Sequence, residues 1–292
     1  MITDDPKKPA FVTRFAPSPS GRLHKGHAYS ALLAYRTAQK NGGRFLLRIE
    51  DIDTARCKPE FTDGIFEDLA WLGLSWEKPV RIQSQHFTDY SNALHKLKAM
   101  GVIYPCFCTR KDIQAEIESA ERAPHGLLRG PDGPIYPGTC RGKSPDEQQS
   151  LITSGKSHAW RLDLAKALEN ISTPLVWHDQ TEGEIAAAPE LLGDVILARK
   201  DTPTSYHLSV VVDDALQGIT HVVRGVDLYH ATHIHVVLQR LLGIDTPFYQ
   251  HHPLLLDDTG ERFAKRNKSA TLQSLRESGL AASILVADLG LP

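Results

Sequence analysis

Two histidines near the start of the chain, His24 and His27, are spaced for contact with phosphate. Residues 11–15 predict a short strand, the Pro- and Gly-containing stretch after them predicts a turn, and residues 28–39 have helical periodicity. Residues three apart share one side of a helical turn, and the first turn also offers free backbone N–H groups and the positive end of the helix dipole. Gly26 leaves room for a flat base to approach the backbone. The alternative is a pair of surface histidines at a helix start.

A second candidate for phosphate chemistry lies late in the chain, where residues 262–266 read Arg-Phe-Ala-Lys-Arg. The lysine of this segment, Lys265, lies in a loop predicted over residues 257–269. The histidine turn and this basic segment would together frame a nucleotide site.

Three of the four cysteines form a candidate metal site. Cys106 and Cys108 follow a Tyr-Pro turn, and Cys140 closes the turn-rich segment after them. In a reducing compartment such a cluster favours a metal over a disulfide, and zinc would need a fourth ligand for a tetrahedral structural site. The alternative is three unligated, partly buried thiols. Cys57 stands apart and is expected to be an ordinary thiol.

The composition predicts a globular protein of the cytoplasm. The chain has 292 residues, of which 41% are hydrophobic and 23% charged, enough to bury a core in one large or two modest domains. It has no apolar run of about eighteen residues, and residues 1–9 are charged where a signal region would be apolar. The net charge of −2 argues against indiscriminate binding of polyanions, so any RNA contact must use a local basic patch or a modified nucleotide.

The motifs resemble those of the class I aminoacyl-tRNA synthetases, in their glutamyl and glutaminyl branch. Residues 15–27 (FAPSPSGRLHKGH) resemble the family's HIGH motif, and residues 262–266 take the place of its KMSKS loop. Residues 48–54, 205–214 and 223–228 resemble the segment after the family's second strand and its amino-acid pocket. The resemblance covers about residues 10 to 270, and a structural protein has little reason to keep all of these segments.

This resemblance implies an α/β fold with a Rossmann-type parallel sheet, helices on both faces, an inserted zinc-containing α+β subdomain and a short C-terminal helical segment, without an anticodon-binding domain. The expected halves of the nucleotide-binding domain are residues 1–105 and 191–250, with the insertion at 106–190 and the KMSKS-like loop and C-terminal helix at 251–292. Further strands are predicted at residues 45–49, 159–164, 194–199, 208–213 and 221–224, and helices at 61–72, 87–100, 111–122, 229–242 and 272–288.

The resemblance also implies roles for individual residues in binding ATP. His24, His27 and Lys265 are the expected catalytic groups, with Gly26 beside them in the ATP site. Both histidines are expected to contact the triphosphate, Lys265 to neutralise the departing pyrophosphate, and Mg²⁺ to accompany ATP.

Glutamate and zinc are assigned in the same way. Arg14 and Arg224 are expected to hold carboxylates, since a guanidinium offers two parallel hydrogen bonds, and Glu50 is expected to take the ammonium group. The expected glutamate-binding residues are Arg14, Phe15, Ala16, Pro17, Ser18, Glu50, Tyr206 and Arg224. Tyr136, four residues before Cys140, is the expected fourth zinc ligand, with His125 as the alternative. The five histidines at 230, 233, 235, 251 and 252 are expected to be surface or packing residues.

The length points to a truncated member of this branch, because only 27 residues follow Lys265. The implied function is ATP-dependent activation of L-glutamate to glutamyl-adenylate and its transfer to the cyclopentenediol of queuosine, at the wobble position of tRNA(Asp), by a monomer without membrane contact. Two alternatives remain: a truncated glutamyl-tRNA synthetase that charges the tRNA 3′ end, and a non-catalytic tRNA-binding paralogue.

Overall fold

The computed structural model describes residues 10–121, 129–131, 133–255 and 270–291. The predicted ATP residue Lys265, with the rest of segment 262–266, and the alternative zinc ligand His125 lie outside the described residues. Among the helices described, none is both long and apolar enough to cross a membrane.

The strands and helices alternate along the first hundred residues, as the sequence predicts. The strands are β1 Val12–Phe15, β2 Arg44–Ile49, β3 Arg81–Ile82, β4 Ile103–Cys106, β5 Arg129–Gly130, β6 Gly133–Pro134, β7 Ala159–Leu162, β8 Val176–Asp179, β9 Gly183–Ala186, β10 Ile196–Ala198, β11 His221–Gly225 and β12 Phe248–His252. The helices are α1 Lys25–Lys40, α2 Pro59–Trp71, α3 Phe87–Ala99, α4 Arg110–Glu121, α5 Pro145–Thr153, α6 Leu164–Glu169, α7 Tyr206–Leu216, α8 Ala231–Leu242, α9 Leu272–Glu277 and α10 Ala282–Asp288.

Parallel strands from both ends of the chain meet at the centre of the molecule. β1 pairs in parallel with β2, and β2 with β3; β11 pairs in parallel with β12, and β12 with β8. The two sets meet where the backbone N–H of Val12 donates to Thr220 Oγ1 (2.9 Å) and the N–H of Thr220 donates to the Val12 carbonyl (3.1 Å). The carboxyl ends of β1, β2 and β11 therefore lie at one edge, where ligands of open α/β sheets bind.

Helices cover this sheet on both faces. Successive side chains of β2 point to opposite faces, so Leu47 and Ile49 join the cluster formed with α1, α2, α9 and α10, while Leu46 joins Val236 of α8. A second core joins α3, α7 and α8. Ile49 is fully buried, and truncating such a side chain to alanine costs about 2–5 kcal/mol.

The cysteine-bearing part of the chain forms a separate antiparallel sheet in the order β10-β7-β4. The strand predicted at residues 194–199 therefore belongs to this sheet and not, as predicted, to the parallel sheet. Conversely, β8 lies within the predicted insertion but pairs with β12 of the parallel sheet. The domain boundaries at 105, 190 and 250 stay predictions.

The predicted strand at residues 208–213 is wrong, because these residues lie in helix α7. The run Ser-Val-Val-Val reads as a buried strand, but α7 packs against both α3 and α8. A helix enclosed in this way is apolar around much of its circumference, which removes the helical period from the sequence.

The C-terminal segment also differs from the prediction. One amphipathic helix was expected over residues 272–288, whereas α9 ends at Glu277 and α10 begins at Ala282. Gly279 has φ of +82°, a left-handed conformation that glycine adopts without strain. Both short helices still contribute to the core, through Leu272 and Leu285.

Candidate active site

A cavity of about 480 Å³ opens at the carboxyl edge of the parallel sheet. β1 ends beside it and runs into the loop of residues 16–18, α1 begins at it, Glu50 follows β2, and β11 and the first residue of α7 close it. Among the described residues predicted to bind ATP or glutamate, all line this cavity: Arg14, Phe15, Ala16, Pro17, Ser18, His24, Gly26, His27, Glu50, Tyr206 and Arg224. The fold thus brings together groups separated by up to 210 positions in the chain.

The two histidines form the opening turn of α1. His24 is the N-cap residue, and its Nδ1 accepts from the N–H of Gly26 (3.2 Å), while the N–H of His24 donates to His27 Nδ1 (3.2 Å). The ring centroids lie 3.8 Å apart. No acidic side chain lies in this first helical turn, so its positive end faces the cavity without an internal anion.

The ring of His24 gives a reason, besides ligand binding, for a glycine at position 26. A Cβ at this position would lie 3.1 Å from Cε1 of His24, closer than most side-chain contacts. The glycine therefore leaves space for the His24 ring itself, which adds a second reason to the predicted approach of a base.

The described residues on both sides of residues 256–269 lie at the cavity, and those on the C-terminal side contact the histidine turn. Leu254 and Leu255 line the cavity on one side. On the other side Thr271 pairs with His24, and the N–H of Leu272 donates to the carbonyl of Leu23 (2.8 Å). The contact of Lys265 with ATP remains a prediction.

Arg14 lies in a compensated network of buried charges. Its Nε and Nη2 donate to the two carboxylate oxygens of Asp214 (3.0 and 3.3 Å). Arg48, which is fully buried, donates from Nη1 to Asp214 Oδ1 (2.8 Å) and from Nη2 to Glu50 Oε1 (3.1 Å). Burial alone would raise the pKa of Asp214, but the two arginines lower it. Burial outweighs the arginines at Glu50 and raises its pKa.

A second buried carboxylate, Asp213, belongs to the same network. It is fully buried and accepts from Arg81 Nε (2.6 Å), Gln83 Nε2 (2.8 Å) and Tyr90 Oη (3.0 Å). Arg48 Nε lies 3.6 Å from its Oδ2. Sequence reasoning gave no separate role to Arg48, Asp213 or Asp214; the adjacent acids in an otherwise apolar segment are the signal that could have found them.

Arg224 is held differently, by neutral groups. Its Nε donates to His251 Nε2 (3.1 Å), Nη2 to Thr232 Oγ1 (2.5 Å), and Nη1 to Tyr206 Oη (3.3 Å) and His235 Nδ1 (3.4 Å). The residue is only 4% exposed. In the part of the chain that the structure describes, no carboxylate lies within 4.0 Å of this guanidinium. A buried cation without a paired anion is costly, and a bound carboxylate would compensate it.

The five histidines of the C-terminal half are expected to be surface or packing residues, but His251 hydrogen-bonds Arg224 and His252 lines the cavity. His233 and His235 are buried on α8, and burial lowers the pKa of both. Sequence spacing predicts no carboxylate partner for any of the five, whereas His251 Nδ1 lies 2.8 Å from Asp179 Oδ2. The two residues are 72 positions apart, so no local pattern predicts this pair.

The three predicted cysteine ligands come together beside β4. The sulfur atoms of Cys106, Cys108 and Cys140 all lie within 4.8 Å of one another and could hold a metal ion. Tyr136 Oη lies 3.4 Å from Cys106 Sγ and 3.5 Å from Cys108 Sγ, and it accepts from the N–H of Cys140 (3.1 Å). Cys57 is not part of this cluster; its Sγ lies 3.7 Å from Ser18 Oγ.

A second cavity of about 600 Å³ adjoins the first. Ser18, Glu50 and Tyr206 line both cavities, and Tyr136 of the cysteine cluster lines the second. A molecule in the second cavity would therefore lie next to the part of the first cavity that these three shared residues line.

Comparisons with known proteins agree with this architecture. The family model described as "tRNA synthetases class I (E and Q), catalytic domain" matches residues 10–291. The chain is 46% identical to the glutamyl-Q tRNA(Asp) synthetase of Rhodobacter capsulatus, over 96% of this chain and 100% of that protein. It is 41% identical to the protein of the same name from Symbiobacterium thermophilum, over 94% of this chain and 84% of that protein. The crystal structure of a glutamate tRNA ligase from Elizabethkingia meningosepticum, in complex with its amino acid, superposes with a TM-score of 0.79 at 25% identity; it is matched over 96% of this chain, which spans 60% of that one.

Proposed function

The chain belongs to the family of class I tRNA synthetase catalytic domains of the E and Q type, and from this we propose that it activates L-glutamate with ATP and transfers the glutamyl group to queuosine in tRNA(Asp). Membership of the family makes it a ligase with an α/β fold, as the sequence predicted. The transfer to queuosine draws its support from the names of the two relatives at 46% and 41% identity.

The observation that carries the amino-acid assignment is the pair of unlike charged groups in one cavity. Arg224 presents a buried cation with neutral neighbours, and Glu50, whose side chain is 13% exposed, presents a carboxylate whose pKa is raised by burial. Glutamate offers the complement, a carboxylate and an ammonium group. The α-carboxylate of glutamate must remain free to react, because a carboxylate that is hydrogen-bonded to an arginine is a weaker nucleophile. Arg224 therefore binds the side-chain carboxylate in this proposal, and Glu50 the ammonium.

The histidine turn is the proposed site of the ATP phosphates. An oxygen of the glutamate α-carboxylate attacks the α-phosphorus of ATP, and the bond from that phosphorus to the pyrophosphate oxygen breaks. His24 and His27, with the N–H groups of the first turn, would stabilise the negative charge that develops, and Gly26 keeps this turn close to the nucleotide. Mg²⁺ is proposed to accompany ATP.

Lys265 is proposed to neutralise the leaving pyrophosphate. Its support is its place in segment 262–266, because the described residues before and after this part of the chain lie at the cavity, and Thr271 pairs with His24. Lys265→Ala is then expected to lower the rate of ATP–pyrophosphate exchange more than the affinity for ATP. A variant that loses only affinity would contradict the role.

The second cavity is the proposed entrance for the acceptor. In the transfer step a hydroxyl group of the acceptor attacks the acyl carbon of glutamyl-adenylate, and AMP leaves. The hydroxyl must therefore come within bonding distance of the glutamate, and the second cavity shares Ser18, Glu50 and Tyr206 with the first.

We assign zinc to the cysteine cluster, with Cys106, Cys108, Cys140 and Tyr136 as ligands. Tetrahedral zinc with bonds of about 2.3 Å to sulfur sets its ligand atoms roughly 3.8 Å apart. The Sγ atoms of Cys108 and Cys140 lie 3.4 Å apart, and Tyr136 Oη lies at similar distances, so the donor set fits. When bound, zinc would supply structural cross-linking. The proposed substrate also places the protein in the cytoplasm; that it acts as a monomer stays a prediction.

The test separates the two half-reactions. ATP–pyrophosphate exchange with the full chain should depend on L-glutamate, and its absence in folded protein would favour a non-catalytic tRNA-binding protein. Labelled glutamate should then be transferred to queuosine-containing tRNA(Asp), and nuclease digestion should release the label on the queuosine nucleoside. tRNA(Asp) without queuosine is the matched control and should accept no label. Label on the 3′-terminal adenosine would instead support a glutamyl-tRNA synthetase, the activity named for the solved structure at 25% identity.

A further inference from the structure

Arg224 and His251 are direct neighbours on adjacent strands. In the parallel pairing of β11 with β12, Arg224 lies opposite His251, and the next strand, β8, ends at Asp179. The Arg224 Nε–H donates to His251 Nε2 (3.1 Å), and His251 Nδ1 lies 2.8 Å from Asp179 Oδ2. All three side chains are buried, with those of His251 and Asp179 only 3% and 2% exposed.

These contacts fix the tautomer of His251. A guanidinium has only donors, so His251 Nε2 must be the acceptor and its proton must lie on Nδ1, pointing to Asp179. Asp179 is itself fixed, because its Oδ1 accepts from the N–H of Thr181 (2.8 Å) and its Oδ2 also accepts from the N–H of His251 (3.2 Å). The rings of Trp177 and Tyr229 pack against the imidazole, with centroids at 5.6 and 5.0 Å.

We propose that Asp179 and His251 are positioning residues that orient Arg224 for the substrate carboxylate. The imidazole of His251 lies between Arg224 and Asp179, so the carboxylate of Asp179 does not contact the guanidinium. This inference rests on the proposed function, in which Arg224 binds the side-chain carboxylate of glutamate. Asp214 hydrogen-bonds Arg14 directly and compensates the charge of this arginine. Asp179 orients Arg224 only through the neutral ring of His251, so the charge of Arg224 stays available to the ligand.

The test compares KM values in ATP–pyrophosphate exchange with the full chain. A hydrogen bond to a charged group is worth about 1.5–3 kcal/mol, so His251→Leu should raise the KM for L-glutamate about ten- to a hundredfold. The KM for ATP should change less than about twofold, and kcat at saturating glutamate less than about threefold, because the lost contact acts on bound glutamate before and during the reaction alike. An unchanged KM for glutamate, or an equal rise in both KM values, would overturn the inference.

His233→Leu is the matched control. His233 is another buried histidine of the same aromatic cluster; its Nδ1 accepts from the N–H of Ala188 (3.2 Å), and it makes no hydrogen bond to Arg224. Its replacement should lower stability without raising the KM for glutamate. A rise as large as that in His251→Leu would assign the effect to general packing.

Two further variants keep the test decisive if His251→Leu fails to fold. In His251→Gln the amide oxygen can take the place of Nε2 and accept from Arg224. In His251→Asn the shorter amide can donate to Asp179 but does not reach Arg224. The KM for glutamate should therefore be lower in His251→Gln than in His251→Asn, and the reverse order would refute the orientation of Arg224 by His251. Absence of glutamate-dependent exchange in the unsubstituted chain would refute the proposed function instead, so the two failures are distinguishable.

Discussion

Two arginines of the same cavity are held in opposite ways. Arg14 belongs to a network of three arginines, Arg14, Arg48 and Arg81, whose carboxylate partners are Asp214, Asp213, Glu50 and Asp89. Arg224 is equally buried but is surrounded by two imidazoles and two hydroxyl groups. Burial of an arginine therefore does not show what its charge does, because Arg14 has a carboxylate partner in the fold and Arg224 has none among the described residues. The glutamate-binding role of Arg14 stays a prediction.

The largest effect is expected in the compensated network. Asp214→Asn leaves Arg14 and Arg48 buried without their shared partner, and breaking such a pair costs about 3–5 kcal/mol. Urea denaturation should show a free energy of unfolding lower by that amount. A fall of less than about 1 kcal/mol in the free energy of unfolding would contradict the compensation of Arg14 and Arg48 by Asp214.

Arg224→Gln should show the reverse pattern. Removing a cation that has no paired anion among the described residues should leave the free energy of unfolding within about 1 kcal/mol of the original value, while losing a charge-assisted contact costs about 2.7 kcal/mol or more in transition-state binding. The kcat/KM for glutamate in ATP–pyrophosphate exchange should therefore fall at least about a hundredfold. A strongly destabilised variant would place Arg224 in the same class as Arg14.

The pH dependence of stability should separate the two regions. Burial, with Arg224 as a further cause, lowers the pKa of His207 and His251 to about 4, and that of His235 well below its usual value. Histidines of the unfolded chain bind protons below pH about 6.5. Each of these three groups should therefore lower the free energy of unfolding by up to about 1.4 kcal/mol per pH unit as the pH falls from 6.5 towards 4.

Asp214 responds in a lower pH range. Its pKa is below the ordinary value in the folded state, so its contribution is present above pH about 4 and is lost on further acidification. Denaturation curves at several pH values should thus show a first loss between pH 6.5 and 4 that is smaller in Arg224→Gln. A first loss of equal size in that variant would contradict the role of Arg224 in lowering these pKa values.

The smallest effect is expected at Thr232, which accepts one hydrogen bond from Arg224. Thr232→Val removes this contact at about 0.5–1.5 kcal/mol, and so should raise the KM for glutamate roughly two- to tenfold. Thr13→Val is a matched control, because Thr13 is also fully buried but donates to the carbonyl of Ala34. It should change stability without changing the KM; equal KM values in both variants would argue against neutral partners orienting Arg224.

The sequence predicted those parts of the molecule that depend on local patterns. The strand, turn and helix around His24, and the grouping of the three cysteines, follow from residue types and spacing within short segments. The parallel α/β fold was likewise predicted and is confirmed. The roles of the residues that line the cavity stay predictions, although the structure gathers the described ones around it.

What the sequence did not predict depends on distant contacts. Residues 208–213 of α7 have the pattern of a strand, because a helix enclosed by two others loses its amphipathic period. The contact of His251 with Asp179 spans 72 residues, and that of Arg14 with Asp214 spans 200. Such pairs are set by strand order and helix packing, which no local motif encodes.

The neutral surroundings of Arg224 have a consequence for protein engineering. Replacing an arginine that is paired with a carboxylate requires a second, simultaneous change, whereas Arg224 can be exchanged while Thr232, Tyr206 and His235 keep polar but uncharged surfaces. Single substitutions at Arg224 are therefore expected to change the substrate preference of this cavity while the pairing of Arg14 with Asp214 stays intact.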